Sequence, residues 1–217
     1  MSLPKKSRNR AEQKQLTRRK LIDTTIDIIA DEGFAGVTMG KVAERTGFSR
    51  GICNFHFSTK DQLMLEAFRM LYEEHEQAWR KAVAAVHESP AQRLKNLVET
   101  LLQKPIADHR KLAVWMSFWG VAPHRKTYLD ICEKIDREYE AEVEELLFQL
   151  SDSKGPVNGM SLNAIAVTLT SMIDGFWVNY LISPGCLDPQ DAVKACLAFL
   201  ASFFPLFRNN NIETASA

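Results

Sequence analysis

What the 217-residue sequence has little of narrows it first. It holds four cysteines, at 53, 132, 186 and 196, far apart and without a CxxC pair. That spacing gives neither a zinc cassette nor a disulfide framework, and it fits reduced, packed thiols. Basic and acidic side chains cancel at 27 each, so the whole chain is neither polycation nor polyanion. The longest nearly apolar stretches, Leu112–Ala122 and Cys196–Phe207, fall short of the roughly 20 residues that span a bilayer, so no membrane segment is expected. The basic start (Lys5, Lys6, Arg8, Arg10) is not followed by an apolar signal region, which makes the cytoplasm the expected location. No P-loop, G-x-G-x-x-G after a strand, H-E-x-x-H or G-x-S-x-G occurs, and His56, His75, His87, His109 and His124 show no ligand spacing. His124 near Asp130 reads as a solvated histidine at a helix start rather than an acid–base pair. An enzyme, a bound metal and a cofactor are therefore not expected.

What is present is a lopsided distribution of charge. Residues 1–60 carry twelve Lys/Arg against six Asp/Glu, a net +6 that the remainder balances with −6. Eight of those cations fall within the first twenty residues, opposed only by Glu12. Such asymmetry points to a polyanion-binding end joined to something else, and a solvated basic tail is the plain alternative.

The hydrophobic pattern is helical almost throughout, with no strand alternation and no repeat. Leu21, Ile22, Thr25, Ile28 and Ile29 recur at helical spacing until Gly33 ends that helix. A short helix from Met39 to Arg45 turns Val42 and Ala43 inward. Gly47 breaks it, Ser49 caps the next start, and a second short helix runs from Arg50 to about His56. Thr59–Gln62 reads as a capping box before a long helix from Lys60 to about His87, with Leu63, Ala67, Met70, Leu71, Ala78 and Val83 inward. Ser89–Gln92 is a second box, followed by Leu94, Leu97, Val98, Leu101 and Leu102. Helices are further expected over about His109–Val121, Arg125–Leu150 (Leu129, Ile135, Val143 and Leu147 inward), Ser161–Ile182 and Pro189–Phe204, with Ser151–Gly159 the clearest loop. The fold class is all-α, of about nine helices.

Two short helices about Gly47, behind a third helix and a basic tail, have the arrangement of a helix-turn-helix, whose second helix enters the DNA major groove. The run Gly33-Phe34, Val37-Thr38-Met39, Val42-Ala43, Gly47-Phe48-Ser49-Arg50-Gly51, His56-Phe57-Ser58-Thr59-Lys60 and Leu63 closely resembles the DNA-binding head of the TetR family of transcriptional regulators, over about residues 14–75. The resemblance implies a helix-turn-helix from Thr38 to Phe57. Thr38 would open its first helix against a phosphate. Ser49, Arg50, Gly51 and Ile52 would begin the recognition helix, with Asn54, Phe55 and His56 further along it, and Lys60 would reach the backbone. Asn54 departs from the family pattern, in which a tyrosine is usual; its amide can still donate to phosphate or read an adenine edge. Arg50 suits either guanine or phosphate. Residues 1–13 would be a flexible basic arm following the backbone or entering a minor groove.

A head of this kind implies a dimerising, ligand-binding body, here residues 76–207, with 208–217 a frayed tail. The last two helices lack a charged face and carry Ala164, Ala166, Leu169, Met172, Ala192, Ala195, Ala198 and Ala201. Burial inside one monomer is one reading of them, and a homodimer contact through these two helices is the other. Trp115, Phe118 and Trp119 share one helix face, and Asp174, Trp177 and Tyr180 another. Such stripes are usually plain core. The segments Ala113–Trp119 and Ile173–Val178, however, resemble the body of the choline-responsive betaine-operon repressors (BetI-type). That likeness implies an aromatic cage for a quaternary ammonium ion, which offers no N–H to hydrogen-bond and is held by cation–π attraction. Trp115, Trp119, Trp177 and Tyr180 would form it, with Asp174 balancing charge and Phe118 among the ligand-binding residues. The function so implied is a repressor bound to double-stranded operator DNA and released by a small-molecule inducer such as choline. A TetR-type regulator sensing another hydrophobic or cationic ligand, and a constitutive DNA-binding protein, are the alternatives.

Overall fold

The computed structural model describes residues 5–85, 87–151 and 155–208, so the expectations for residues 1–4, 152–154 and 209–217 fall outside it, as does the inward placing of Ile135. Among the described residues the chain forms nine α-helices and no strand: α1 Lys5–Gly36, α2 Met39–Thr46, α3 Arg50–His56, α4 Lys60–Val83, α5 Pro90–Leu102, α6 His109–Trp119, α7 Lys126–Leu150, α8 Leu162–Ile182 and α9 Pro189–Ala201. The only extended pairing among them is an isolated bridge between Val157 and Met160.

The boundaries follow from local chemistry. Gly33, at φ 74° and ψ 178°, interrupts α1 where a β-carbon would be strained, and one further turn reaches Gly36. Ser49 caps α3 through the Ile52 N–H at 3.2 Å, and Ser161 caps α8 through Ala164 at 3.1 Å. Before α4, Thr59 accepts from the Gln62 N–H at 3.1 Å while the Gln62 side chain accepts from the Ser58 N–H at 2.9 Å. The box before α5 is only half closed. Ser89 accepts from Gln92 N–H at 3.2 Å, but the Gln92 amide turns to Asn96 at 2.8 Å. The start expected to be a flexible arm is instead helical from Lys5, because no glycine or proline interrupts the chain between there and Gly33.

The residues divide into two compact units, Met1–Leu71 with Ala113–Tyr128, and Tyr72–Leu112 with Leu129–Ala217. The first buries Leu21, Ile22, Thr25, Ile28 and Ile29 of α1 against Val42, Cys53, Phe57, Leu63 and Phe68. The second buries Leu94, Leu97, Val98, Leu101 and Leu102 of α5 with Val143, Leu146 and Leu147 of α7 and the inner faces of α8 and α9. Three inward placements require correction. Leu129 is exposed, because Tyr128 and Cys132 take the inner face of α7, and Met70 and Ala78 are only half-buried, because Phe68, Tyr72 and Trp79 set the inner stripe of α4. Helix α8 is also long and apolar enough, by length and composition, to cross a membrane, a stretch the apolar-run count passed over. Its Ile165, Ala166, Leu169 and Ile173 are buried in the second unit.

Candidate nucleic-acid interface and ligand site

In the first unit, α2 and α3 form a tight helix-turn-helix around Gly47, whose φ of 73° closes α2. Helix α3 is anchored by one face: Cys53 is fully buried and Phe57 follows it into the core. The opposite face presents Arg50, Gly51, Ile52, Asn54 and Phe55 to solvent, with Thr38 and Ser49 also exposed beside it. Phe55 is 71% exposed, which costs apolar hydration on a helix that has a core to bury it in. The Thr38 hydroxyl accepts from the Lys41 N–H at 3.1 Å and keeps its own proton for another acceptor.

Which cations are available was not legible from a count. Arg18 pairs with Glu66, Arg19 with Asp23 at 2.9 Å, Lys41 with Glu32 and Arg45 with Asp31 at 2.8 Å. Arg10, Lys14, Arg50 and Lys60 form no ion pair among the described residues. Lys14 stands over the Phe55 ring at 5.3 Å, and Lys60 over Phe34 at 5.8 Å. Gly40 admits the Arg50 guanidinium: a β-carbon there would come within 3.1 Å of it. His56 is half-buried, and burial, then the charges of Lys14 and Arg18, hold its pKa below the usual imidazole range. The face is thus electropositive and carries exposed side chains of the kind that contact phosphate and base edges.

The aromatic residues singled out from sequence fall in both units. In the first, Phe118 is fully buried, 4.5 Å from Phe68 and 5.6 to 5.7 Å from Tyr128 and Phe34 between ring centroids, and so acts as core. Trp115 is buried against Phe68, and the half-buried Trp119 stands 5.9 Å from it. In the second unit the Trp177 indole is 2% exposed and donates to the Leu101 carbonyl at 2.8 Å. Tyr180 lines a cleft of about 400 Å³ with Leu102, Lys104, His109 and Leu187. Burial, then Cys196 and Asp188, push its hydroxyl up to about 12.

Asp174 has different company. Burial, then the carboxylates of Asp136 and Glu140, raise its pKa to about 7; Asp136 is raised to about 6 by burial and Glu140. Neither aspartate forms an ion pair among the described residues. Both aspartate side chains are nevertheless exposed to solvent, which screens their mutual repulsion. Aromatic rings stand close by. His75 meets Trp177 edge-on at 5.6 Å and Tyr139 at 5.9 Å, and Trp79 lies 5.8 Å from Tyr139. Burial holds His75 at about 4, so it is neutral at pH 7 and adds no positive charge. Sequence reasoning found Asp174 and Trp177 and missed His75, Trp79, Asp136, Tyr139 and Glu140. The missed residues carry the same signal, spacings of three and four along α4 and α7, but α7 read merely as a charged helix.

Comparison with known proteins bears on both units. The family description "Bacterial regulatory proteins, tetR family" matches residues 21–67, and "BetI-type transcriptional repressor, C-terminal" matches residues 90–205, more than half of the chain. The chain belongs to the TetR family, with a BetI-type C-terminal domain. It is a DNA-binding transcriptional regulator of that family. Among its relatives are the HTH-type transcriptional regulator BetI 1 of Chromohalobacter salexigens, 25% identical over 82% of this chain and 85% of that one, and BetI of Burkholderia thailandensis, 25% identical over 83% and 90%. Solved structures of the same fold include a putative transcriptional regulator of Pseudomonas aeruginosa (TM-score 0.76, 23% identity, 88% and 92% covered). Another is a putative regulator of Saccharomonospora viridis in complex with choline (TM-score 0.72, 21% identity, 86% and 96% covered). The family consists of transcriptional regulators, which are not enzymes.

Proposed function

We propose that this chain is a dimeric cytoplasmic repressor that leaves its operator when a quaternary ammonium cation of the choline class binds its body. The observation that carries the ligand class is Asp174, an exposed carboxylate with no ion-pair partner among the described residues, three residues along α8 from Trp177, whose ring meets His75 at 5.6 Å. A cation held by ring faces and balanced by that carboxylate would supply the missing charge. The choline found in a structural neighbour and the BetI names of the relatives agree with it.

On the DNA side, Arg50, Ile52, Asn54 and Phe55 are assigned to the base edges, and Thr38, Ser49, Gly51, His56 and Lys60 to backbone and positioning contacts. Residues 14–75 are read as the DNA-binding domain and 76–207 as the ligand and dimerisation domain. The dimer is assigned to α8 and α9, where Val167 and Ala198 are exposed while Ala166, Leu169, Ala192 and Ala201 pack inside the monomer. Ligand release then works by differential affinity: the cation must bind better to the arrangement that fits DNA worse.

The test is anisotropy of labelled DNA from upstream of the protein's own gene, titrated at two salt concentrations with and without choline. Tight, salt-sensitive binding that choline weakens is expected. Binding indifferent to choline and to related quaternary cations overturns the ligand class. With the fold intact, Trp177→Ala should weaken choline binding if its ring holds the cation.

A further inference from the structure

We infer that Arg125, which lies outside the helix-turn-helix sequence, is a positioning residue for DNA binding: by holding the Asp61 carboxylate it leaves the Lys60 ammonium for a DNA phosphate. The inference rests on the assignment of Lys60 to the DNA backbone above and deepens it.

Arg125 directly precedes α7, yet the segment Ala113–Tyr128 packs in the same unit as the helix-turn-helix. Its guanidinium donates to the Asp61 carboxylate at 3.0 Å, across 64 residues of sequence. Asp61 stands in the first turn of α4, directly after Lys60. Phe34 ties the two cations together: the Lys60 ammonium stands 5.8 Å and the Arg125 guanidinium 5.6 Å from the centre of its ring. One carboxylate is thus placed beside two cations. It is paired with Arg125, while Lys60 forms no ion pair among the described residues.

That pairing sets the charge at the start of α4. A helix start attracts phosphate through its first N–H groups and its dipole, and a carboxylate standing there repels the phosphate and takes up the same attraction. Without Arg125 the Asp61 carboxylate would be uncompensated one residue from Lys60, and would compete with DNA for its ammonium. The pair is not a packing device. The Asp61 and Arg125 side chains are 67% and 43% exposed, and they line a cleft of about 520 Å³ with Gln62, Leu65, Thr127 and Tyr128. An ion pair so exposed adds little to stability, so its effect on DNA binding can be read apart from folding.

The test is anisotropy of the upstream DNA with full-length variants at two salt concentrations, alongside their melting temperatures. Arg125→Gln should raise Kd about threefold to fivefold, the upper range for one exposed charge pair, with Tm within about 2 °C of wild type. Arg125→Lys, which keeps the charge, should bind within about twofold of wild type. The deciding variant is the double one, Asp61→Asn with Arg125→Gln: with the acid gone, affinity should return to within about twofold of wild type, and Asp61→Asn alone should bind at least as tightly as wild type. A double variant as weak as Arg125→Gln overturns the inference. If its salt slope is also lower by about one, Arg125 is itself a phosphate contact; if the slope is unchanged and Asp61→Asn alone is equally weak, the pair merely holds the fold. Lys60→Ala with unchanged affinity and salt slope overturns the assignment of Lys60 to the backbone, and the inference with it.

Discussion

Replacing Asp174 by asparagine should stabilise the free protein, and only above a definite pH. The native carboxyl is raised to about 7 by burial and by Asp136 and Glu140, from an ordinary value near 4. Between about pH 4 and pH 7 the folded state therefore holds a proton that the unfolded chain has released, and stability falls as pH rises through that window and is level above it. The full shift would correspond to about 4 kcal/mol. Because the side chain keeps accessible surface, water screens much of this, and about 1 kcal/mol is the expected size. For a chain of this length that is a rise in Tm of about 2–4 °C. Scanning fluorimetry of wild type and Asp174→Asn from pH 4.5 to 8 reads it directly: the curves should start close together at low pH and separate up to pH 7. Asparagine loses no hydrogen bond here, as Asp174 forms none among the described residues. Parallel curves, or a variant that melts below wild type at pH 8, would refute the argument that Asp174 is crowded by like charge.

Further outcomes follow from the same geometry. Choline should bind more tightly as pH rises from 6 to 8, with proton uptake by buffer in calorimetry, since Asp174 and Asp136 must be ionised while His75 stays neutral and Tyr139 protonated; a pH-independent affinity would count against Asp174 as counter-ion. Arg50→Ala should weaken specific DNA binding by about 1–3 kcal/mol if it meets guanine, with the salt slope nearly unchanged, whereas Lys60→Ala should lower the slope of log K against log salt by about one. Phe55→Ala should leave Tm within about 1 °C, because the ring is mostly solvated, and still reduce operator affinity in anisotropy. Trp177→Phe leaves the Leu101 carbonyl without its 2.8 Å donor and should cost about 1–3 kcal/mol in urea denaturation.

How far the sequence could be read depended on the chain distance over which each chemistry is assembled. The helix-turn-helix lies within about twenty consecutive residues, and each part has a local cause: Thr38 and Ser49 as caps, Gly47 at positive φ, Cys53 and Phe57 inward. Those causes act between neighbours, so the caps and the Gly47 break were legible from spacing, whereas the outward residues of α3 were implied only by the family resemblance. Which cations remain free was different, since Arg18 is neutralised by Glu66 from 48 residues away and Arg45 by Asp31 across a turn. The acidic site draws on α4 at His75 and Trp79, α7 at Asp136 to Glu140, and α8 at Asp174 and Trp177. Helical periodicity tells which residues share a face and nothing about which faces meet. It therefore gave Asp174 and Trp177 as a pair and could not supply the carboxylates opposite them. The same limit explains Phe118: its spacing from Trp115 is that of a ligand-cage residue and of a core residue alike, and only the rings of Phe34, Phe68 and Tyr128 around it assign it to the core. Charge adds a distinction that periodicity lacks. An aromatic residue enclosed by others needs no ligand, while carboxylates crowded together without a cation remain uncompensated until a proton or a ligand arrives, and this imbalance is what the proposed cation would relieve.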